Sequence, residues 1–175
     1  MLQLEVSIGQ ETENFAAKGV TELGGSISYQ SVTPVYNGVT SDAITLFTIS
    51  PFIGYFVTDG FELGVNPLGV TLASYGGGST TQLMVLLAPS CNFITKGRAF
   101  PFIEGLIGYT SIGNGSERDG LSWGGRAGVK HAITNHGLLN LSVQYLLITT
   151  NPSGASNRYG SNNLSIAAGL TVWLQ

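Results

Sequence analysis

The sequence predicts an all-β protein, a transmembrane eight-stranded antiparallel β-barrel with up-and-down connections. Alternation with a period of two residues recurs along the chain, and helical periodicity is nearly absent. One side of the alternating segments carries no Lys, Arg, Asp or Glu. Charged residues make up only 10% of the chain, against about 25% in typical soluble domains. Because a soluble domain needs more surface charge, these observations favour a barrel whose outside faces lipid.

Eight segments alternate clearly between apolar and polar or small residues. Most are near the ~10 residues that a tilted membrane strand requires. They are predicted at 20–30, 43–57, 61–72, 81–94, 98–110, 121–133, 138–149 and 163–174. In segment 163–174, for example, Leu164, Ile166 and Leu170 share one face with Ala168, whereas Ser165 lies on the other. This arrangement predicts strands with one face toward lipid and one toward the lumen.

The connections between the segments alternate in length. Three are tight turns, at 58–60, 95–97 and 134–137, and they carry the Gly, Asp and Asn residues that turns favour. Four are longer and polar, and are predicted as loops at 31–42, 73–80, 111–121 and 150–162. Short turns at one end and longer loops at the other are typical of a membrane barrel.

Two parts of the chain depart from this regular pattern. Segment 61–72 loses its alternation after Pro67, and a bulge at 67–69 is predicted to return Leu68, Val70 and Leu72 to the lipid face. Residues 1–18 are predicted as an N-terminal tail on the turn side of a barrel formed by 19–175. Their own alternation, at 2–8, leaves an extra strand open as an alternative.

Five charged residues in the middle of strands fall on the inward face: Glu22, Glu62, Glu104, Arg126 and Lys130. A lone carboxylate in an apolar stretch such as FPFIEGLIGYT is costly to bury unless it is paired. Glu104 and Arg126 lie on neighbouring strands at similar distances from the tight turns. We therefore expect Glu104 to bind Arg126, with Lys130 in reach and the other two carboxylates nearby.

This charge cluster has two interpretations. It can be a structural ion cluster that fills a small barrel, or it can be a gate on an ion path through the lumen. The structural interpretation is favoured, because the interior of an eight-stranded barrel is only wide enough for side chains to fill.

Three stretches carry a resemblance to a known family: KGVTELGGSISY, SPFIGYFVTDGFELGV and FPFIEGLIGYT. Together they resemble the outer-membrane β-barrel domain family, the small barrels of the OmpA/OmpX type, over residues 18–175. The final GLTVWL is similar to the terminal strand signal that the barrel-assembly machinery reads in this class. The resemblance implies a location in the cell outer membrane, with outer-membrane lipid and the assembly machinery as partners.

No motif in the sequence predicts catalysis or a cofactor. Lipid A deacylases of the barrel type carry a His-x-Ser pair, whereas His131 is followed by Ala132 and Ile133. One cysteine and two histidines offer no zinc constellation, and neither GxxxxGK[ST] nor GxGxxG occurs. The net charge of −3 gives no reason to expect a nucleic-acid partner. We therefore expect no enzymatic activity, no metal and no cofactor.

The sequence favours a structural or surface-interaction role through the extracellular loops. Two alternatives remain open: a narrow, porin-like pore or small-molecule conduit, and a membrane anchor subunit of a larger envelope complex. An envelope protein partner would contact the loops or residues 1–18. A soluble carrier of the lipocalin kind is disfavoured, because it would need charged residues on its outward face.

Overall fold

The computed structural model describes residues 15–32, 35–36, 39–40, 44–75, 78–95, 97–113, 118–152 and 159–175. Eight long antiparallel strands form a closed barrel in the order β1-β10-β9-β8-β7-β6-β5-β4. They are β1 (Thr21–Val32), β4 (Ile44–Thr58), β5 (Phe61–Tyr75), β6 (Gly78–Asn92), β7 (Ala99–Gly113), β8 (Arg118–Ala132), β9 (Gly137–Pro152) and β10 (Tyr159–Leu174). A separate two-stranded sheet pairs β2 (Val35–Tyr36) with β3 (Val39–Thr40). The predicted fold class is confirmed.

Each of the eight predicted segments coincides with a barrel strand, but most strands continue further at the loop end. β5 reaches Tyr75 and β6 begins at Gly78, so most of the loop predicted at 73–80 is strand. β9 and β10 have 16 residues each, more than the ~10 that cross a bilayer. The alternation in the sequence ends where both strand faces meet water, whereas the backbone ladder continues. For this reason hydrophobic patterning alone underestimates the strand lengths.

The outward faces of the strands carry large apolar side chains that the barrel itself does not cover. Ile166 is 71% exposed and Leu87 60% exposed, and similar residues occur on every long strand. Exposure of an apolar surface of this extent to water would be unfavourable in free energy. Hydrocarbon accepts it, provided that every backbone polar group is paired within the protein, as closure of the barrel achieves. The barrel is therefore built to span a membrane.

A bulge interrupts β5 at the position predicted from the sequence. The register with β6 passes from Asn66↔Leu86 to Gly69↔Met84. Over this interval β5 advances by three residues and β6 by two, so β5 contains one extra residue. Pro67 and Leu68 are consecutive and both exposed, and Leu72 is then 53% exposed on the outside. The extra residue thus returns the second half of β5 to the lipid face, as expected for a β-bulge.

The N-terminal residues that the structure describes close the turn end of the barrel. Residues 15–20 form turns rather than a strand. The Gly19 N–H donates to the Phe56 carbonyl at 2.8 Å, and the Gly60 N–H donates to the Ala16 carbonyl at 2.7 Å. Gly60 has a φ of 75°, the left-handed conformation that favours glycine in a tight turn. Of the predicted tail, residues 1–14 lie outside the described part of the chain, and 15–18 are fastened to the barrel.

Within the described residues, no helix has the length and apolar character needed to cross a membrane.

The exposed apolar face generates a first prediction. Ile53 and Leu141 are 46% and 55% exposed on the outside of the barrel. The variants Ile53→Arg and Leu141→Arg therefore place a charge on the lipid-facing surface. Each is expected to lower the free energy of unfolding by roughly 2–4 kcal/mol, the range for arginine near the bilayer midplane. Urea unfolding in lipid vesicles measures the change. Thr58→Arg, at the turn end of β4, is the matched control and should change it by at most about 1 kcal/mol. Tolerance of arginine at both Ile53 and Leu141 would contradict the lipid-facing assignment.

Candidate functional site

The interior of the barrel holds two apolar clusters and the five charged residues. One cluster, at the turn end, contains Phe15, Ala16, Val20, Phe56, Phe100, Ala132, Leu138 and Trp173. Three of the charged residues, Glu22, Glu62 and Lys130, lie opposite members of this cluster in the strand registers. The second cluster contains Phe52, Met84, Leu86, Ala88, Leu106, Leu146 and Ile148. The strands therefore direct both charged and apolar side chains into one narrow interior.

Glu104 and Arg126 are directly opposite each other on β7 and β8. Arg126 Nη2 lies 2.7 Å from Oε1 and 2.9 Å from Oε2 of Glu104. The Glu104 side chain is 1% exposed and that of Arg126 is 11% exposed. The Arg126 guanidinium also lies 5.9 Å from the centre of the Phe102 ring. Charge-assisted hydrogen bonding and a cation–π contact both stabilise the guanidinium in this position.

Lys130 reaches across the lumen to two other carboxylates. Its Nζ lies 2.5 Å from Glu22 Oε2 and 3.2 Å from Glu62 Oε2. The lysine belongs to β8 and the glutamates to β1 and β5, and no two of these strands are neighbours in the barrel. All three residues are buried. The interaction thus ties together distant parts of the barrel wall, in addition to the backbone ladder between adjacent strands.

A glycine makes room for this convergence. Gly54 is opposite Glu22 in the register of β1 and β4. The Glu62 carboxyl group lies over Gly54 so closely that any Cβ atom there would overlap it. On the other side, the Ser90 hydroxyl donates to Glu62 Oε2 at 2.9 Å and the Asn92 amide donates to the same oxygen at 3.3 Å. Glu62 is therefore held by three donors: Lys130, Ser90 and Asn92.

Phe15 seals the turn end beneath this cluster. Its ring is fully buried and makes edge contacts with Phe56 and Phe100, at centroid distances of 5.3 Å and 5.1 Å. The Trp173 ring lies 6.5 Å away. Lys130 Nζ lies 5.2 Å from the centre of the Phe15 ring. The N-terminal segment therefore contributes a plug to which the central lysine is attracted.

Little free space is left at the level of the charges. The cavity bordered by Glu22, Glu104, Arg126 and Lys130 has a volume of about 20 Å³, roughly what one water molecule needs. Further toward the loops the lumen widens into a cavity of about 380 Å³. The described residues therefore fill the turn-side part of the barrel and leave a cavity in its loop-side part.

The structure places all five charges selected from the sequence inside the barrel, in two groups. Glu104 meets Arg126, whereas Lys130 meets Glu22 and Glu62. Three further residues at the site were not predicted from the sequence: Phe15, Ser90 and Asn92. The inward parity of Ser90 and Asn92 on β6 was a usable signal for those two, but nothing in the sequence marks Phe15 as a plug.

His131 is exposed. In the described part of the chain, no three His, Cys, Asp or Glu residues are arranged to hold a metal ion.

No family model matches the sequence, and no curated protein matches it either. Solved structures do share its fold. The Neisserial surface protein A structure is 14% identical with a TM-score of 0.63, over 89% of this chain and 97% of that one. The outer membrane protein OprG of Pseudomonas aeruginosa is 15% identical with a TM-score of 0.59, over 91% and 97%. The E. coli outer membrane protein W is 16% identical with a TM-score of 0.53, over 87% and 97%.

These similarities establish the fold of the small eight-stranded outer-membrane barrels. Together with the apolar exterior, this fold agrees with the predicted location in the outer membrane and with the predicted lipid contact.

The buried pair generates a second prediction. Glu104→Gln and Arg126→Met, made singly, are each expected to cost roughly 3–5 kcal/mol of unfolding free energy, because each leaves the other charge buried without its partner. The double variant should cost clearly less than the sum of the two. A double-mutant cycle measured by urea unfolding tests this.

The matched control cycle combines Glu104→Gln with Lys130→Met, because Lys130 binds the other two carboxylates. Its coupling energy is expected to be smaller. Additive effects of Glu104→Gln and Arg126→Met would contradict a direct energetic link between the two residues.

Proposed function

We propose that this protein is a non-enzymatic outer-membrane barrel that acts through its loop-side surface and does not conduct ions. The observation that carries the proposal is the filled lumen on the turn side. Phe15 occupies the turn end, and above it Lys130 joins Glu22 and Glu62 across the interior. The space that remains at this level is about 20 Å³.

The energetics of ion passage support the same proposal. A permeating ion needs a path whose wall replaces its hydration shell with suitable ligands. Here the carboxylates are already bound to Lys130 and Arg126. An ion would have to break these pairs and displace the Phe15 ring as well. A structural ion cluster is therefore a better account of the five charges than a gate.

The loop end is the part of the barrel best suited to meet a partner. Strands of 15 or 16 residues, such as β8 and β9, extend beyond the membrane span. Exposed polar side chains at the loop ends of the strands form a polar rim in water, as at Ser79, Asp119 and Ser161. An envelope or extracellular protein that contacts this rim is the partner we propose. Attachment of a larger envelope complex through residues 1–18 remains the alternative interface.

A narrow conduit for small molecules is the second candidate, favoured by one observation. The loop-side cavity of about 380 Å³ extends into the barrel from the loop end. A conduit would require the turn-side part to open, by movement of Phe15 and rearrangement of the ion pairs. The conductance of the intact protein distinguishes the two candidates.

A third prediction follows for planar bilayers. The wild-type protein is expected to give no stepwise ion currents. Phe15→Ala combined with Glu22→Ala, Glu62→Ala and Lys130→Ala empties the filled level without leaving a charge of that group unpaired, and is expected to conduct. Leu141→Ala, on the lipid face, is the control and should behave as wild type. Reproducible current steps from the wild-type protein would replace the closed-lumen proposal by the conduit.

A fourth prediction concerns orientation. In intact cells, added protease is expected to cut only within the loops at 31–42, 73–80, 111–121 and 150–162, parts of which lie outside the described residues. The turn at Asp59-Gly60 should be protected, because short turns of such barrels face the periplasm. Permeabilised cells serve as the control. Cleavage at Asp59-Gly60 in intact cells would invert the topology and move the proposed interaction surface to the other side.

A further inference from the structure

The loop-side cavity lies inside the barrel, and the ion pairs on the turn side do not account for it. Its volume is about 380 Å³, within the range of roughly 300–1,000 Å³ typical of small-molecule sites. On β1 and β9 its deepest residues are Ser28 and Gln144. Each is two positions from a residue that borders the small central cavity, Ser26 and Ser142. The filled turn-side part therefore forms the floor of this larger cavity.

One side of the cavity offers hydrogen-bonding groups on two adjacent strands. Ser28 and Gln30 line it from β1, and Asn163 and Ser165 line it from β10. β1 and β10 are neighbours in the barrel, so these hydroxyl and amide groups lie on one side of the cavity and form its polar wall. Hydroxyl and carboxamide side chains both donate and accept hydrogen bonds. This wall is suited to a ligand that does the same, as an alcohol hydroxyl does.

The remaining wall combines apolar side chains with the polar Thr48, Thr71, Gln82 and Gln144. Leu46 on β4, Met84 on β6, and Leu146 and Ile148 on β9 border the same space. These side chains can cover the carbon-bound face of a ligand, which gains from leaving water. A molecule with one apolar face and an edge of hydroxyl groups would satisfy both walls.

The charge of the lining restricts the ligand further. No Lys, Arg, Asp or Glu belongs to the lining among the residues that the structure describes. A charged ligand would therefore lose hydration without gaining a partner of opposite charge at the wall. A purely apolar ligand would offer no hydrogen bond to the hydroxyl and amide groups of the polar wall, which is also unfavourable.

We infer that the loop-side cavity binds a small, uncharged, hydroxylated molecule of about monosaccharide size. The inference deepens the proposed surface-interaction function, because it names a chemical class that the loop side would recognise. The inference depends on the closed-lumen proposal in one respect, because the filled turn-side part forms the floor of the cavity.

The test uses the complete protein in an amine-oxide detergent, because the head groups of glycoside detergents belong to the ligand class. Isothermal titration calorimetry with methyl β-D-glucopyranoside is expected to show saturable binding at millimolar concentrations. Glucosamine, gluconate and 1-hexanol represent cationic, anionic and apolar ligands and should each bind at least about tenfold more weakly. Absence of saturation with the methyl glucoside, or tighter binding of any comparison compound, would overturn the inference.

Variants on adjacent positions locate the site. Gln82 lines the cavity from β6, whereas the neighbouring Thr81 is exposed on the outside. Gln82→Leu and Asn163→Leu should each weaken methyl glucoside binding about threefold to tenfold, the loss expected for one hydrogen bond. Thr81→Leu should leave it unchanged. Heat-modifiable mobility on gels verifies that each variant forms a barrel. Wild-type affinity in both folded cavity variants would overturn the assignment of this cavity.

The outcome can be separated from that of the closed-lumen proposal. Conducting protein that still binds the methyl glucoside contradicts only the closed lumen, and non-conducting protein that does not bind it contradicts only the ligand inference.

Discussion

The pairing of every backbone N–H and C=O group inside the protein is the constraint on which the rest of this structure depends. In hydrocarbon an unpaired backbone group costs several kcal/mol, and a sheet avoids that cost only by closing on itself. Closure of eight strands fixes a narrow lumen, while the apolar exterior, with residues such as Leu87 and Ile166, faces lipid. Within the membrane span, every inward-facing side chain must then fit into this lumen.

The charged residues show how such an interior accommodates groups that are costly to bury. Lys130 binds carboxylates from β1 and β5, and Arg126 binds the carboxylate opposite it on β7. Ser90 and Asn92 add donors to Glu62, and the absence of a side chain at Gly54 allows the Glu62 carboxyl group to lie there. Such pairs offset desolvation only when their geometry is good, so we regard the cluster primarily as the filling of the lumen.

The two halves of the lumen suggest different roles. The turn-side half is occupied by Phe15, the neighbouring aromatic rings and the ion pairs. The loop-side half retains a cavity whose described lining is uncharged and combines hydroxyl and amide groups with aliphatic ones. This asymmetry links the proposed surface role to the ligand inferred for the cavity.

The sequence by itself determined the barrel class, the eight strands, the bulge at Pro67-Leu68 and the inward direction of all five mid-strand charges. These features depend on alternation along one strand, which is local information. The Glu104–Arg126 contact was also accessible, because the two residues lie on consecutive inward-facing strands at similar distances from the tight turns at 95–97 and 134–137. Only the tertiary structure decided that Lys130 binds Glu22 and Glu62, that Phe15 fills the turn end, and that the described residues leave a cavity on the loop side. The Lys130 contacts join strands that are not neighbours. The relative heights of such strands depend on the stagger of the whole closed barrel, which no single stretch of sequence specifies.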